Sequence, residues 1–513
     1  MGTSVKLSFG FVIYCLHCTL AAPLQIATST KAIHLPSRNF SEPLTQGWTA
    51  SPDGRGTMDI VWSCLVTILL CSWSVLCLQI PGAKDTQWRI LWRRCWLTAL
   101  CCLGPEFTLQ LALGQWSSAR QSVKDFHASG FECWTMKHAF YANSGGFFLN
   151  TPDFKPVPID AKQLLYLVDH KYIDFPALSE QDIDDKNKMD VLLRLISIGQ
   201  IIWFSITVIA RGVQGLFITG MELTTAAFIL CTFGTTYLWW EKGADVAVPE
   251  VLHTKTTMAT ILKNGGDSAA APYHRTPLDF ISREEWHWSL YWTHWINILR
   301  NMHIVFAPRD LPHDRIENTV WLNISARGAL PAFILICLAY SAIFIAGWND
   351  HFPTKSEQIL WRISSLSMMA AISMYFLVTA FAYIIYPAIE QYFRRPEPLN
   401  SNRQSIESPP HTDEINSQRS ACHRMAINVQ RLPPKHQNSR SRLSSITASL
   451  RNNSILKDPS LDVPLKATIP MYVVGFFYCS SRCCILVLDI IQLRSLPQSA
   501  FDSIEWSAFL PHI

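Results

Sequence analysis

The sequence predicts an all-α polytopic membrane protein: six or seven transmembrane helices, an interfacial tryptophan-rich helix and one long disordered loop. Three observations carry this. First, 49% of the 513 residues are hydrophobic and only 16% are charged, whereas soluble domains carry about 25% charged residues. Second, the apolar residues gather in discrete runs, each long enough to cross roughly 30 Å of hydrocarbon as a helix. Third, the 19 tryptophans fit wide membrane–water interfaces, where amphipathic rings settle.

Each element follows in chain order. Residues 1–21 have one early lysine, a short apolar core and small residues near Ala21, the pattern of a signal peptide. Residues 22–57 are polar and carry the sequon Asn39-Phe-Ser, so this segment is expected to be lumenal or extracellular, with Asn39 glycosylated. The membrane domain spans 58–395. Its first helix, near 60–80, follows a turn cluster at Pro52–Gly56, with Thr57 as N-cap, Asp59 at the positive dipole end and Pro81 as terminator. Lys84, Arg89, Arg93 and Arg94 then stand against one acid, Asp85, which marks a cytoplasmic loop. Further helices are expected near 95–113, 192–211, 215–240, 330–348 and 359–387. The last of these carries Ser364, Ser365, Ser367, Ala370, Ala371 and Ser373, small residues that let helices pack closely in lipid.

Between the hairpins, Trp288, Trp292, Trp295, Leu299 and Met302 recur at helical spacing, which predicts a helix lying in the interface. Residues 396–462 are rich in Ser, Asn, Pro and Arg and are expected to be disordered. From Arg394 to Lys466 there are 12 Lys and Arg against 6 Asp and Glu. Residues 463–513 supply a last helix, 470–492, and a short tail.

The stretch GPEFTLQLALGQW, Gly104 to Trp116, interrupts the apolar run that begins at Cys95. Two arrangements follow. If 95–113 spans, seven helices cross and 117–190, 241–326 and 396–462 are lumenal. If Gly104-Pro105 breaks it, the segment is re-entrant, six helices cross and those regions are cytoplasmic. The basic character of 396–462 favours the second, since Lys and Arg collect on the cytoplasmic side. A broken backbone at that depth must be sheltered by other helices.

The net charge of +4 is too small to point to nucleic acid. Of the 15 cysteines, all but Cys133 and Cys422 lie in apolar runs, which is no disulfide framework. No Walker A, HExxH, GxSxG or Rossmann fingerprint is present, and no cofactor is expected. His127, Cys133 and His138 lack metal-ligand spacing. His287 and His294 read as the polar back of the interfacial helix, so no metal is expected either.

An ionisable group inside a membrane is a functional hypothesis by default. The candidates are Glu106, Arg194, Glu222, Arg482 and Asp489. One reading joins Glu106, Glu222, Arg482 and Asp489 into a buried polar site, where a neutral acid could donate a proton to a lipid-like substrate. The other pairs Glu222 with Arg482 for packing and lets Arg194 and Asp489 snorkel.

With these segments read, the chain resembles an uncharacterised family of multi-pass integral membrane proteins of filamentous fungi. The stretches that carry the resemblance include GWTASPDGRGTMDIVWSCLVTILLC, GPEFTLQLALGQWSSARQSVKDF, MKHAFYANSGGFFL, LFITGMELTTAAF, WWEKGADVAVP and VPLKATIPMYVVGFFYCSSRCCILVLDIIQLRSLPQSAF. They cover Gly47–Arg395 and Val463–Ile513. The resemblance implies architecture and no activity. Two functions stay open: a non-enzymatic receptor-like, scaffold or transport-associated protein, or an intramembrane enzyme acting on an apolar, isoprenoid or lipid-like small molecule; a third, a proton-coupled transporter using the same acids, is disfavoured because the sequence shows no inverted repeat. In either case the partner is the lipid bilayer, and the location is a membrane of the secretory pathway: endoplasmic reticulum, vacuole or plasma membrane.

Overall fold

The computed structural model describes residues 45–50, 54–186, 191–244, 246, 248–270, 273, 275–282, 298, 311–318, 322, 328–381, 385, 447–448 and 465–506, with backbone alone at 191–194 and 465–468. The expected signal peptide, the sequon at Asn39, the tryptophan-rich helix with His287 and His294, the side chain of Arg194 and nearly all of 396–462 lie outside the described residues.

Strand β1, Thr45–Gln46, precedes helix α1, Thr57–Val75. Gly56 caps α1, and Asp59 accepts from the Gly56 N–H at 2.8 Å. The helix ends at Val75, five residues before the expected Ile80. Residues 76–80 are extended because their backbone is claimed by neighbours: Gln79 N–H donates to Asn318 Oδ1 at 2.6 Å, and Ile80 N–H to Ser144 O at 3.0 Å. Helices α2, Gln87–Leu103, and α3, Pro105–Ala128, follow. The expected single segment at 95–113 is thus two helices, and they meet at Gly104 with a bend of 113°.

A region of mixed structure comes next: α4, Met136–Asn143; β2, Phe147–Thr151; β3, Phe154–Ile159; α5, Ala161–Asp169; and α6, Glu180–Asp185. Helices α7, Val191–Val213, and α8, Gly220–Leu238, form the expected hairpin. Strand β4, Glu250–His253, is followed by three short helices, α9, Met258–Asn264, α10, Asp267–Ala270, and α11, Asp279–Ser282. The second hairpin is α12, Ala329–Ala346, with α13, Lys355–Ala380. Helix α14, Leu465–Gln492, and strand β5, Leu496–Pro497, close the described chain. The small sheet, ordered β3-β2-β4, was not expected from the sequence; β4 joins β2 in parallel.

Among the described residues five helices are long and apolar enough to cross a membrane: those at 57–75, 195–213, 329–349, 355–380 and 469–492. Their outer faces carry exposed apolar side chains, including Trp62, Leu65, Ile202, Trp203, Ile363, Phe476 and Phe477. Such a belt marks a surface that packs against lipid or against another protein. Helix α8 is the interior one, buried around most of its circumference from Gly220 to Leu238. Enclosure lets it carry Thr225, Thr232 and Thr235, whose hydroxyls donate to carbonyls four residues back at 2.8–3.0 Å.

The helix ends sort into two groups. At one end, β1 pairs with β5, and Arg211 at the end of α7 donates to the carbonyls of Phe217, Ser499, Ala500 and Asp502 at 2.8–3.2 Å. At the other, Lys242 beyond α8 reaches Cys77 beyond α1 and Gln115 of α3. The approach to α2 also lies at this second end, where Asp85 pairs with Arg315 at 3.6 Å. Helices α2 and α3 therefore enter and leave at the same end of the bundle.

Candidate functional site

The break between α2 and α3 is built from two residues. Gly104 ends α2, donating its N–H to Leu100 O at 3.0 Å. A side chain there has no room: a Cβ would come within 2.7 Å of the Tyr478 hydroxyl and 2.8 Å of the Phe107 ring. Pro105 takes the first position of α3, where its missing N–H costs nothing.

A broken helix exposes carbonyls at one end and N–H groups at the other, with partial charges to match. Here each end meets a side chain of complementary sign. Arg482 of α14 donates Nε to Leu103 O at 3.1 Å. Glu106 occupies the first turn of α3 and accepts a hydrogen bond from the Tyr478 hydroxyl. The Arg482 guanidinium lies 5.3 Å from the Phe344 ring and 6.0 Å from the Tyr340 ring, both on α12. Two turns beyond Arg482, Asp489 accepts from Thr224 Oγ1 of α8 at 2.7 Å. Gly220 lets α8 approach there, since a Cβ would stand 2.8 Å from Asp489 Oδ1.

Glu106, Tyr340, Arg482 and Asp489 are all buried, yet among the described residues Glu106 Oε2, both Arg482 Nη atoms and Asp489 Oδ1 have no hydrogen-bond partner, and the Tyr340 hydroxyl, close to Glu106 and Tyr478, makes no bond of good geometry. Each such atom costs about 1–3 kcal/mol when left unmade. These atoms lie at the α2–α3 break and on the stretches of α12 and α14 that face it or continue from it.

Of the four residues expected to form one site, the structure brings Glu106, Arg482 and Asp489 into this region and separates Glu222. Glu222 is the third residue of α8, not two turns in, because the helix starts at Gly220. Its carboxylate closes a capping box with Thr219, accepting from N at 2.9 Å and Oγ1 at 3.0 Å, and pairs with Arg55. The expected Glu222–Arg482 pair does not form. The signal for this was present: Thr219-x-x-Glu222 is a capping-box pattern.

Three further residues were missed. Tyr340 and Tyr478 read as ordinary aromatic positions within apolar runs. Lys242 follows Trp239 and Trp240 and is buried, donating to Cys77 O at 3.0 Å and Gln115 Oε1 at 2.8 Å, with Nζ 4.8 Å over the Trp239 ring. Among the described residues no carboxylate pairs with it, and burial pulls its pKa down to about 8. His127 and His138 spend ring nitrogens on the carbonyls of Trp134 and Leu178, at 2.9 and 2.8 Å, and do not converge. Among the described residues no three His, Cys, Asp or Glu side chains gather as metal ligands.

A family model described as a family of unknown function (DUF8562) matches residues 32–264. That stretch holds α1 to α9, with Glu106, Glu222 and Lys242, and stops short of Tyr340, Arg482 and Asp489. No curated protein and no solved structure matches the chain.

Proposed function

We propose that this chain is an integral membrane protein of the transport-associated kind, with Glu106, Tyr340, Tyr478, Arg482 and Asp489 as its working centre. Helices α1, α7, α8, α12, α13 and α14 cross the bilayer, and α2–α3 is a re-entrant hairpin that returns to the cytoplasmic side. The observation that carries the reading is the break at Gly104. Its two helix ends face Arg482 and Glu106, beside buried polar atoms that lack partners. Discontinuous helices of this kind mark midplane sites for ions and polar substrates in membrane transporters. In this chain Arg482 and Glu106 hold the positions that ions take there. A proton on Glu106 frees Arg482 for a polar solute, and its loss restores the internal pairing. The protein resides in a secretory-pathway membrane, with the N-terminal segment lumenal and Asn39 glycosylated.

Reconstituted protein in sealed liposomes with an internal pH dye tests this. An imposed pH gradient should collapse faster than in empty liposomes, and Glu106→Gln should abolish the difference. Equal rates for wild type and empty liposomes would sink the reading. The alternative, an intramembrane enzyme acting on an apolar isoprenoid or lipid-like molecule, draws on the same buried carboxyls. It is favoured instead if metabolite profiling shows a product lost in both Glu106→Gln and Asp489→Asn while proton flux is absent.

A further inference from the structure

A second polar space lies outside the helical bundle, and it does not depend on the reading above. A cavity of about 60 Å³ opens where α3, α4 and α5 meet the segments around Arg275 and Arg315. On that measure a water needs roughly 10–15 Å³, so the space takes about four or five oxygen-sized atoms, the count of a tetrahedral oxyanion.

The walls are polar and their charges are unevenly committed. The two acids, Asp160 and Asp279, have their oxygens occupied. Asp160 accepts from Gln163 N at 2.9 Å and Ser282 Oγ at 2.7 Å. Asp279 accepts from Thr276 N at 3.1 Å and Arg275 N at 2.8 Å. The guanidinium of Arg315 is less well served. It shares Asp85 with Arg93, at 3.6 and 3.4 Å, with Glu317 also in electrostatic reach, and among the described residues its Nε and Nη1 make no hydrogen bond. Arg275 lines the same cavity. Gln79, another wall residue and 4% exposed, has an Oε1 with no donor among the described residues. The site thus holds unspent donors on a cation and an unspent acceptor on an amide.

We propose that this cavity binds a phosphate group carrying at least one hydroxyl, as in inorganic phosphate or a phosphomonoester. The anionic oxygens take the Arg315 guanidinium, whose fork suits phosphate. The P–OH donates to Gln79 Oε1. A fully deprotonated oxyanion such as sulfate satisfies Arg315 but leaves Gln79 facing a second acceptor, so the site discriminates against it.

The test is isothermal titration calorimetry on the full chain in nanodiscs of neutral phosphatidylcholine. Inorganic phosphate should bind saturably, and sulfate at least about tenfold more weakly. Arg315→Gln should abolish phosphate binding. Gln79→Met replaces the amide, with its unpaired Oε1, by a thioether of similar length, and it should weaken phosphate to the level of sulfate. A second arm uses nanodiscs containing phosphatidic acid. If free phosphate gives no heat until that lipid is withdrawn, the occupant is a lipid headgroup, which supports the same chemistry. If no phosphate binds in either arm, or if sulfate binds as well as phosphate, or if Gln79→Met changes nothing, the proposal fails.

Discussion

Arg482 and Leu103 make a contact between the middle of the last helix and the severed end of α2, with Nε donating to the carbonyl at 3.1 Å. Because Glu106 lies one residue beyond the Gly104-Pro105 break, the same guanidinium has a carboxyl in electrostatic reach. Removing it strands a buried acid and an orphan carbonyl. Arg482→Gln is expected to cost about 3–5 kcal/mol, read as a lowered melting temperature in detergent. The double variant with Glu106→Gln should lose less than the two single losses added, because the partners share one interaction.

Gly104 is the second fixed point. Gly104→Ala pushes a methyl toward the Tyr478 hydroxyl and the Phe107 ring. A destabilisation of about 1–3 kcal/mol is expected, and Tyr478→Phe should recover part of it by removing the nearer atom. Thermal melts of the single and double variants check this.

Glu222 provides the contrast. It is buried and paired, but with Arg55 and Thr219 at the start of α8. Glu222→Gln should lower stability by about 1–3 kcal/mol and leave any proton flux through the Glu106 centre intact. If it abolishes flux as fully as Glu106→Gln, the two acids act as one site and the separation drawn here is wrong.

Lys242 gives a pH signature. Its folded pKa is about 8, below the ordinary 10.5 of a lysine. Between those values the unfolded chain binds more protons than the folded one, so stability rises with pH through that window. Below about pH 8 the burial penalty is fully present. Lys242→Met is expected to raise the melting temperature at pH 7 and to flatten its rise toward pH 10. An unchanged slope would show that Lys242 keeps its proton in the folded state.

Glycosylation tests the placement of the chain ends. Treatment with N-glycosidase should shift the mobility of wild type but not of Asn39→Gln, and Asn452→Gln should behave as wild type. A glycan on Asn452 would put the basic segment in the lumen and contradict a re-entrant α2–α3.

Much of the architecture was legible because long apolar runs report long apolar helices directly. The two hairpins and the last helix fall near their expected positions, and Pro105 in an apolar run flagged the break. Helix ends were less legible. Val75 ends α1 because side chains remote in sequence, such as Asn318, claim the backbone beyond it. Glu222 was misplaced because Gly215 to Phe217 is as apolar as the helix it precedes, and hydropathy outweighed the cap at Thr219. The sheet escaped because β4 pairs with β2 across about a hundred residues, Phe147 opposite Glu250. Tyr340 and Tyr478 were invisible as site residues, since an aromatic in an apolar run reads as core until its hydroxyl has a neighbour.

In the proposed arrangement α2 and α3 return to the side from which they came. Sealed, oriented vesicles and a membrane-impermeant maleimide test it, with Cys422 and the exposed Cys95 and Cys483 replaced by serine, and Cys133 too wherever another position is the reporter. Three single reporters suffice: Ala50→Cys before α1, Lys84→Cys before α2, and the native exposed Cys133 after α3. The account predicts that positions 84 and 133 label from one face and position 50 from the other. Labelling of positions 84 and 133 from opposite faces would mean that the segment crosses, and would overturn the re-entrant hairpin and the centre built on it.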